Sequence, residues 1–175
     1  MYMKLLATLK AKDVKPNAPH FDYDSFKSRV AARAIIFDRD KVALIHVKEH
    51  DYYMLPGGGL QDNENPPVGL IREVAEELGC VIEITYEVGS IEVYFDRWST
   101  KQTDYCYVAK RVGETERTPT DFELEEGHDV IWVDSLQAAK KIVEGADPIN
   151  RDGKLVQARD LLFLKQTEIL EKKQR

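Results

Sequence analysis

Glu73, Glu76 and Glu77 stand at i, i+3 and i+4, so on a helix they share one face, with Arg72 the cation close by. Like charges at these spacings oppose helix formation by roughly 0.2–0.5 kcal/mol per pair. Such a face is either simply solvated or used for its charge. Glu64, in the stretch ahead of the helix, adds a fourth carboxylate, and Gly57-Gly58-Gly59 leads into that stretch. Glycines permit close backbone approach and unusual dihedrals, although a plain tight turn also uses them. The stretch is neither a G-x-G-x-x-G nor a phosphate-binding loop, since no G-K-S/T follows. Four carboxylates converging from a loop and a helix face suit hard divalent cations, because Mg²⁺ takes oxygen ligands.

The helix carrying them is well marked. Asn65 is a capping residue, Pro66 and Pro67 suit a first turn, and Gly79 suits a left-handed terminus. Ile71, Val74, Ala75 and Leu78 recur at helical spacing and predict the core-facing stripe, with the glutamates opposite. Ahead of it, 29–38 and 41–48 read as a hairpin turning at 38–40, and 52–55 as a short strand stopped by Pro56. Beyond it, strand-like runs occupy 81–88, 91–97 and 103–111. An acidic loop spans 118–129, a strand 130–133, and helices 135–144 and 153–172. The N-terminal 28 residues form an extension, with a strand in "KLLATL" and a proline-containing loop; 29–175 form the main domain with its terminal helix. Strands before, between and after helices predict an α/β fold, a mixed sheet covered on both faces.

From Gly58 the spacing runs five residues to Glu64, seven more to Arg72-Glu73, then Val74, Ala75, Glu76-Glu77, Leu78, Gly79 and Cys80. This resembles the Nudix box, G-x5-E-x7-R-E-U-x-E-E-x-G-U with U a bulky apolar residue, at all seven fixed polar or glycine positions over 23 residues. The resemblance implies an α/β/α sandwich of the Nudix (MutT-like) type, and Mg²⁺- or Mn²⁺-dependent hydrolysis of a nucleoside diphosphate linked to another group. It implies Glu73, Glu76, Glu77 and the Gly57 carbonyl as metal ligands, Arg72 as the arginine orienting a catalytic glutamate, and Glu64 as a supporting carboxylate. A general base is implied either in the box or in a later loop, where Glu123, Glu125 and Glu126 are candidates and Glu126 is preferred. A Nudix-like module that binds a nucleotide without turnover is the alternative, although such modules often lose box glutamates and this box is intact.

Outside the box, Arg29 and Arg33 on the opening strand are candidates for substrate phosphate, against surface ion pairing. Tyr52 or Tyr53 is a candidate for stacking on a base, against core packing, and Tyr94, Phe95 and Trp98 share that ambiguity. His46, His50 and His128 lack a metal-ligand spacing. The S-Q-P-W-P-F-P-like signature of NADH pyrophosphatases is absent, and so is the proline that ADP-ribose pyrophosphatases carry soon after the box, the next being Pro119.

The 175 residues suit one domain. A net charge of −6 argues against a broad surface for long nucleic acid. No apolar run reaches the roughly 20 residues of a membrane span, and the N-terminus lacks the apolar core of a signal peptide. Two cysteines are too few for a disulfide framework. The expectation is a cytoplasmic protein with a small nucleotide substrate, no membrane partner, and homodimerisation left open.

Overall fold

Ala31, Ala32, Ala34, Ile35 and Ile36 are fully inaccessible, so the strand that carries them is buried on both faces. The computed structural model, which describes residues 3–174, places this strand, β2 (Lys27–Asp38), in the middle of a seven-stranded sheet. The other strands are β1 (Leu5–Leu9), β3 (Lys41–Val47), β4 (Tyr52–Met54), β5 (Cys80–Phe95), β6 (Thr100–Glu114) and β7 (His128–Val133). Their order is β1-β5-β6-β2-β3-β4, with β7 also on β3. The sheet is mixed: β1 runs parallel to β5 and β2 to β6, and the other pairs are antiparallel. The helices are α1 (Ala11–Val14), α2 (Pro66–Leu78), α3 (Asp121–Glu125), α4 (Leu136–Gly145) and α5 (Arg151–Gln174). Of these, α2 packs on β2 and β5, α4 on β3, β4 and β7, and α5 on β1, β4 and β5, which makes the expected α/β/α sandwich. Among the described residues, no helix is long and apolar enough to cross a membrane.

Two expectations about elements change. The runs at 81–88 and 91–97 are one strand, β5, whose register against β6 slips near Thr85 and Val88, so an irregular strand reads in sequence as two. The acidic loop contains a helical turn, α3, because Thr120 and Glu123 form a reciprocal capping box. The N-terminal segment contributes its strand, β1, to the edge of the same sheet.

The hairpin β2–β3 pairs only at Phe37/Val42 and Asp38/Lys41 before its arms separate. The glycine stretch fills the gap. Ala34 donates to the Pro56 carbonyl at 2.9 Å, Ala32 to Gly58 at 3.0 Å, and Leu60 to Val30 at 2.9 Å. Residues 56–60 are therefore held along β2 by main-chain bonds. Gly57 has φ +122°, and a Cβ there would lie 2.2 Å from the Ala32 carbonyl oxygen, so no other residue fits without moving the strand.

Helix α2 begins at Pro66-Pro67 and ends on Gly79, whose φ is +67°. Asn65 occupies the cap position, but its side chain makes no capping bond. The buried stripe is Leu70, Val74 and Leu78, and Ile71 is 42% exposed. With apolar residues at both 70 and 71, periodicity alone admitted either rotation of the helix about its axis. Full burial of Leu70 and Val74 stabilises this one by about 1.5–3 kcal/mol per side chain. The same rotation carries Glu77 inward, to 2% exposure.

Beneath the glycine stretch lies a network of buried charge. Asp104 and Asp160 are inaccessible and Arg159 is 1% exposed. Asp104 accepts hydrogen bonds from Arg33 Nε at 3.0 Å, Arg159 Nη1 at 3.2 Å, and Gln102 Nε2. Asp160 accepts from Arg159 Nε at 2.7 Å and from the Leu55 amide at 2.8 Å. Arg33 Nη1 also donates to the Gly57 carbonyl. Burial opposes the charge on Asp104, but Arg159 and Arg33 outweigh it and hold the carboxyl below its ordinary range. Removing one member leaves buried charge unpaired, at a cost of about 3–5 kcal/mol. Arg159→Met is expected to lose stability on that scale in urea unfolding. A midpoint unchanged from the parent would show that the network does not hold the fold.

Candidate active site

Arg72 is surrounded by carboxylates. Its Nε and Nη2 each donate to Glu64 at 2.9 Å, and its Nη1 donates to Glu73 at 2.8 Å and to Glu76 at 3.0 Å. It therefore bridges the loop and the helix face. Glu64 also accepts from the Gln61 amide at 2.9 Å, which closes the loop on itself. Glu73 lies against Gly58 so closely that a Cβ there would sit 2.1 Å from its Oε2. Glu77 accepts the Gly57 amide at 2.9 Å. Gly57 is thereby held at both ends, its N–H by α2 and its carbonyl by Arg33.

The electrostatics are unbalanced. Three carboxylates share one guanidinium, leaving two net negative charges, and Glu77 one turn along adds a third. Burial pushes the Glu73 carboxyl up, Arg72 pulls it down, and Glu76 and Glu77 add to the upward push. The all-oxygen donor set, the excess charge and the close approach that Gly58 allows Glu73 fit a divalent cation. The Gly57 carbonyl, also expected among the ligands, has a second lone pair besides the one facing Arg33.

The acidic loop reaches this site through the end of α2. A helix leaves its last carbonyls without intrahelical partners. Here Thr118 N donates to Glu76 O at 2.9 Å, Arg117 Nε to Glu77 O at 2.5 Å, and Thr115 N to Gly79 O at 2.9 Å. Arg117 also donates to the His128 carbonyl at 3.2 Å. The chain is thus laid over the helix terminus, and Glu123 and His128 come to Glu77, with one ligand atom from each of the three within 4.8 Å of the others. His128 Nδ1 lies 3.8 Å from Glu77 Oε1 and is buried without a hydrogen-bond partner. Leaving a buried polar group unpaired costs about 1–3 kcal/mol.

Several expected site residues stand elsewhere. Glu126, the preferred base, is 2.9 Å from His50 Nε2, and its carbonyl accepts from Glu49 N, so it ties the loop to the end of β3. Glu125 is exposed. Arg33 is turned inward onto Asp104 and Gly57 and is not on the open surface where a phosphate would sit; its side chain is 11% exposed. Tyr53 stacks on His46 at 4.4 Å, which covers one ring face. Arg29 is exposed against Gly59 and lines a hollow of about 500 Å³ with Gln61, Asn63, Glu64 and Tyr105. Sequence reasoning missed Asp104, Arg159 and Asp160. Their signal was charge among apolar neighbours, as in "QARDLLFL".

A NUDIX domain family model matches residues 27–152, and the chain belongs to that family. Diphosphoinositol polyphosphate phosphohydrolase 3-beta of Bos taurus is 34% identical over 97 residues, 54% of this chain and 57% of that protein. The human diphosphoinositol polyphosphate phosphohydrolase 2 is 31% identical over the same length, 54% of this chain and 52% of that one. The matched stretch thus spans little more than half of these relatives. Among solved structures, the E. coli ORF135 protein superposes with a TM-score of 0.58 at 17% identity, covering 88% of this chain and 96% of its own. A MutT protein from Methanosarcina mazei Go1 gives 0.58 at 19%, covering 84% and 97%. These two show the shared fold.

Arg72 and the Gln61 amide hold the Glu64 carboxyl at about 2, below its ordinary 4.5. The folded state therefore binds this proton less readily than the unfolded chain, and Glu64 contributes its full stability above pH 4.5. That contribution fades as the pH falls towards 2. Glu64→Gln is expected to be less stable than the parent near neutral pH, with the gap in urea midpoints narrowing below pH 4.5. A gap that does not change with pH would show that the Arg72 contact does not depend on the Glu64 charge.

Proposed function

We propose that the protein hydrolyses the diphosphate linkage of a nucleoside di- or triphosphate derivative, with Mg²⁺ or Mn²⁺ held by Glu73, Glu76 and Glu77. The observation that carries this reading is the unbalanced carboxylate cluster around Arg72, built on an intact box. When bound, such cations neutralise phosphate oxygens and lower the pKa of an attacking water. Arg72 holds Glu73 and Glu76 in place, and Glu64 anchors Arg72 from the loop. Arg29 offers a guanidinium to phosphate at the mouth of the hollow it lines, whose volume lies within the range of small-molecule sites. Glu123, the acidic-loop carboxylate nearest Glu77, accepts the proton of the water, whereas Glu126 anchors the loop through His50. The relatives named diphosphoinositol polyphosphate phosphohydrolases favour a second substrate with the same linkage, a diphosphoinositol polyphosphate.

A screen of both substrate classes with Mg²⁺ or Mn²⁺ in ¹⁸O water, read by product mass, tests the reaction and identifies the phosphorus attacked. Metal-dependent hydrolysis of at least one class is expected, together with a rise in Tm on replacing EDTA with either ion, since an ion bound to the native state stabilises it. Loss of both effects would remove the reading. Glu77→Gln keeps size and removes one charge; its kcat is expected to fall at least about a hundredfold, roughly 2.7 kcal/mol. A folded variant that turns over at the parent's rate would show that the box does not carry the chemistry. Among Gln variants of Glu123, Glu125 and Glu126, kinetics should show the largest fall in kcat at Glu123. Equal, near-parent rates in all three would return the base to the box.

A further inference from the structure

His128 opens β7, and its side chain is 92% buried, yet Nδ1 has no hydrogen-bond partner and faces Glu77 Oε1 from 3.8 Å, beyond hydrogen-bond range. Glu77 uses Oε2 for the Gly57 amide, and Oε1 carries no hydrogen bond among the described residues. Glu123 uses Oε2 for the Thr120 amide and hydroxyl, and its other oxygen is likewise free. Three elements thus bring one ligand atom from each of these side chains to within 4.8 Å of the others, from α2, α3 and the first residue of β7. We propose that Glu77, Glu123 and His128 form a three-ligand site for a divalent transition-metal ion of the zinc and cobalt class.

The donor set decides the class of ion. An imidazole nitrogen suits Zn²⁺ and its neighbours, whereas Mg²⁺ takes oxygen and keeps much of its water. Neither Glu123 nor His128 belongs to the carboxylate cluster around Arg72, so the two donor sets differ and share only Glu77. Around a tetrahedral ion with ligands at about 2.0–2.2 Å, donor atoms lie about 3.3–3.6 Å apart. The 3.8 Å separation of Glu77 and His128 is already close to that, and small carboxylate rotations bring in Glu123. The scaffold is preset. Main-chain pairing with Val47 and the Arg117 bond to its carbonyl hold His128, and the Thr120 capping box holds Glu123. A fourth position is left for water or a ligand, as in three-ligand zinc sites. Occupancy would engage Glu77 and Glu123 together, so the ion would oppose hydrolysis. That consequence rests on the proposed reaction; the binding does not.

The test is a Co²⁺ titration of the EDTA-treated full chain, followed by visible absorption, with Zn²⁺ as competitor. One equivalent is expected to give the strong bands of low-coordinate Co²⁺, abolished by Zn²⁺. Loss of a ligand should cost at least as much as loss of an outer hydrogen bond, so Co²⁺ affinity should fall at least about tenfold in His128→Gln and in Glu123→Gln. Circular dichroism establishes that each variant is folded. Should His128→Gln not fold, ¹⁵N NMR of the parent's imidazoles decides, with the His128 Nδ1 resonance expected to move on adding one equivalent of Zn²⁺. Parent-like Co²⁺ affinity in folded His128→Gln, or a His128 ring unmoved by Zn²⁺, would overturn the proposal. The Mg²⁺-induced rise in Tm is expected to persist in His128→Gln. Its absence from the parent would remove the carboxylate-cluster reading and leave the Co²⁺ result standing, so the two fail separately.

Discussion

The site depends on how the chain from Leu55 to Gly57 is held. Asp160 takes the Leu55 amide, Arg33 takes the Gly57 carbonyl, and Asp104 joins the two through Arg33 and Arg159. These groups come from β2, β6 and α5, so the glycine stretch is fixed by elements distant from it in sequence. Its position in turn fixes Glu77, which accepts the Gly57 amide, and Glu73, which occupies the space above Gly58. A carboxylate cluster on a helix face alone would be free to spread apart. Anchored to this stretch, it is kept crowded.

The molecule uses charge in two opposite ways. In the interior network, two arginines meet two aspartates, and the charges balance. Burial is tolerated there because almost every donor and acceptor is paired, with Arg159 Nη2 left over. Around Arg72 three carboxylates face one guanidinium, and these groups are only partly shielded from water, while Glu77 adds a further negative charge beside them. The first arrangement costs little while it is intact and much when a member is lost. The second is under strain until something positive arrives. That contrast separates charges that hold the fold from charges available for chemistry more clearly than burial does, since Glu77 is as buried as the network residues.

Much of this was legible in the sequence where the signal is local. The spacing from Gly58 to Gly79 names the carboxylates, and prolines and glycine bound α2 to the residue. Long-range placement was not legible. Leu70 and Ile71 are equally apolar, and only packing on β2 and β5 selects Leu70. Glu123, Glu125 and Glu126 are indistinguishable in an acidic run. The Thr120 cap brings one of them to Glu77, and His50 holds another away. Arg33 alternates with buried alanines in β2, but its turn inward depends on Asp104, 71 residues later. A pairing of that kind has no periodicity to betray it.

The two halves of the site meet at the C-terminal end of α2. That helix ends in carbonyls of Glu76, Glu77 and Gly79 that need donors, and the stretch from Thr115 to Thr118 supplies them. Satisfying a helix end and delivering the acidic loop are therefore one event. Arg117 has a place in both, because the same guanidinium that caps Glu77 also reaches the His128 carbonyl at the start of β7. Glu77 then stands where three constraints cross: the helix that carries it, the glycine stretch whose amide it accepts, and the loop that returns over its carbonyl. Its side chain has one oxygen committed to structure and one left free. A carboxylate held by one oxygen and open at the other is suited to binding a cation, because its position no longer has to be bought from conformational entropy when the ion arrives.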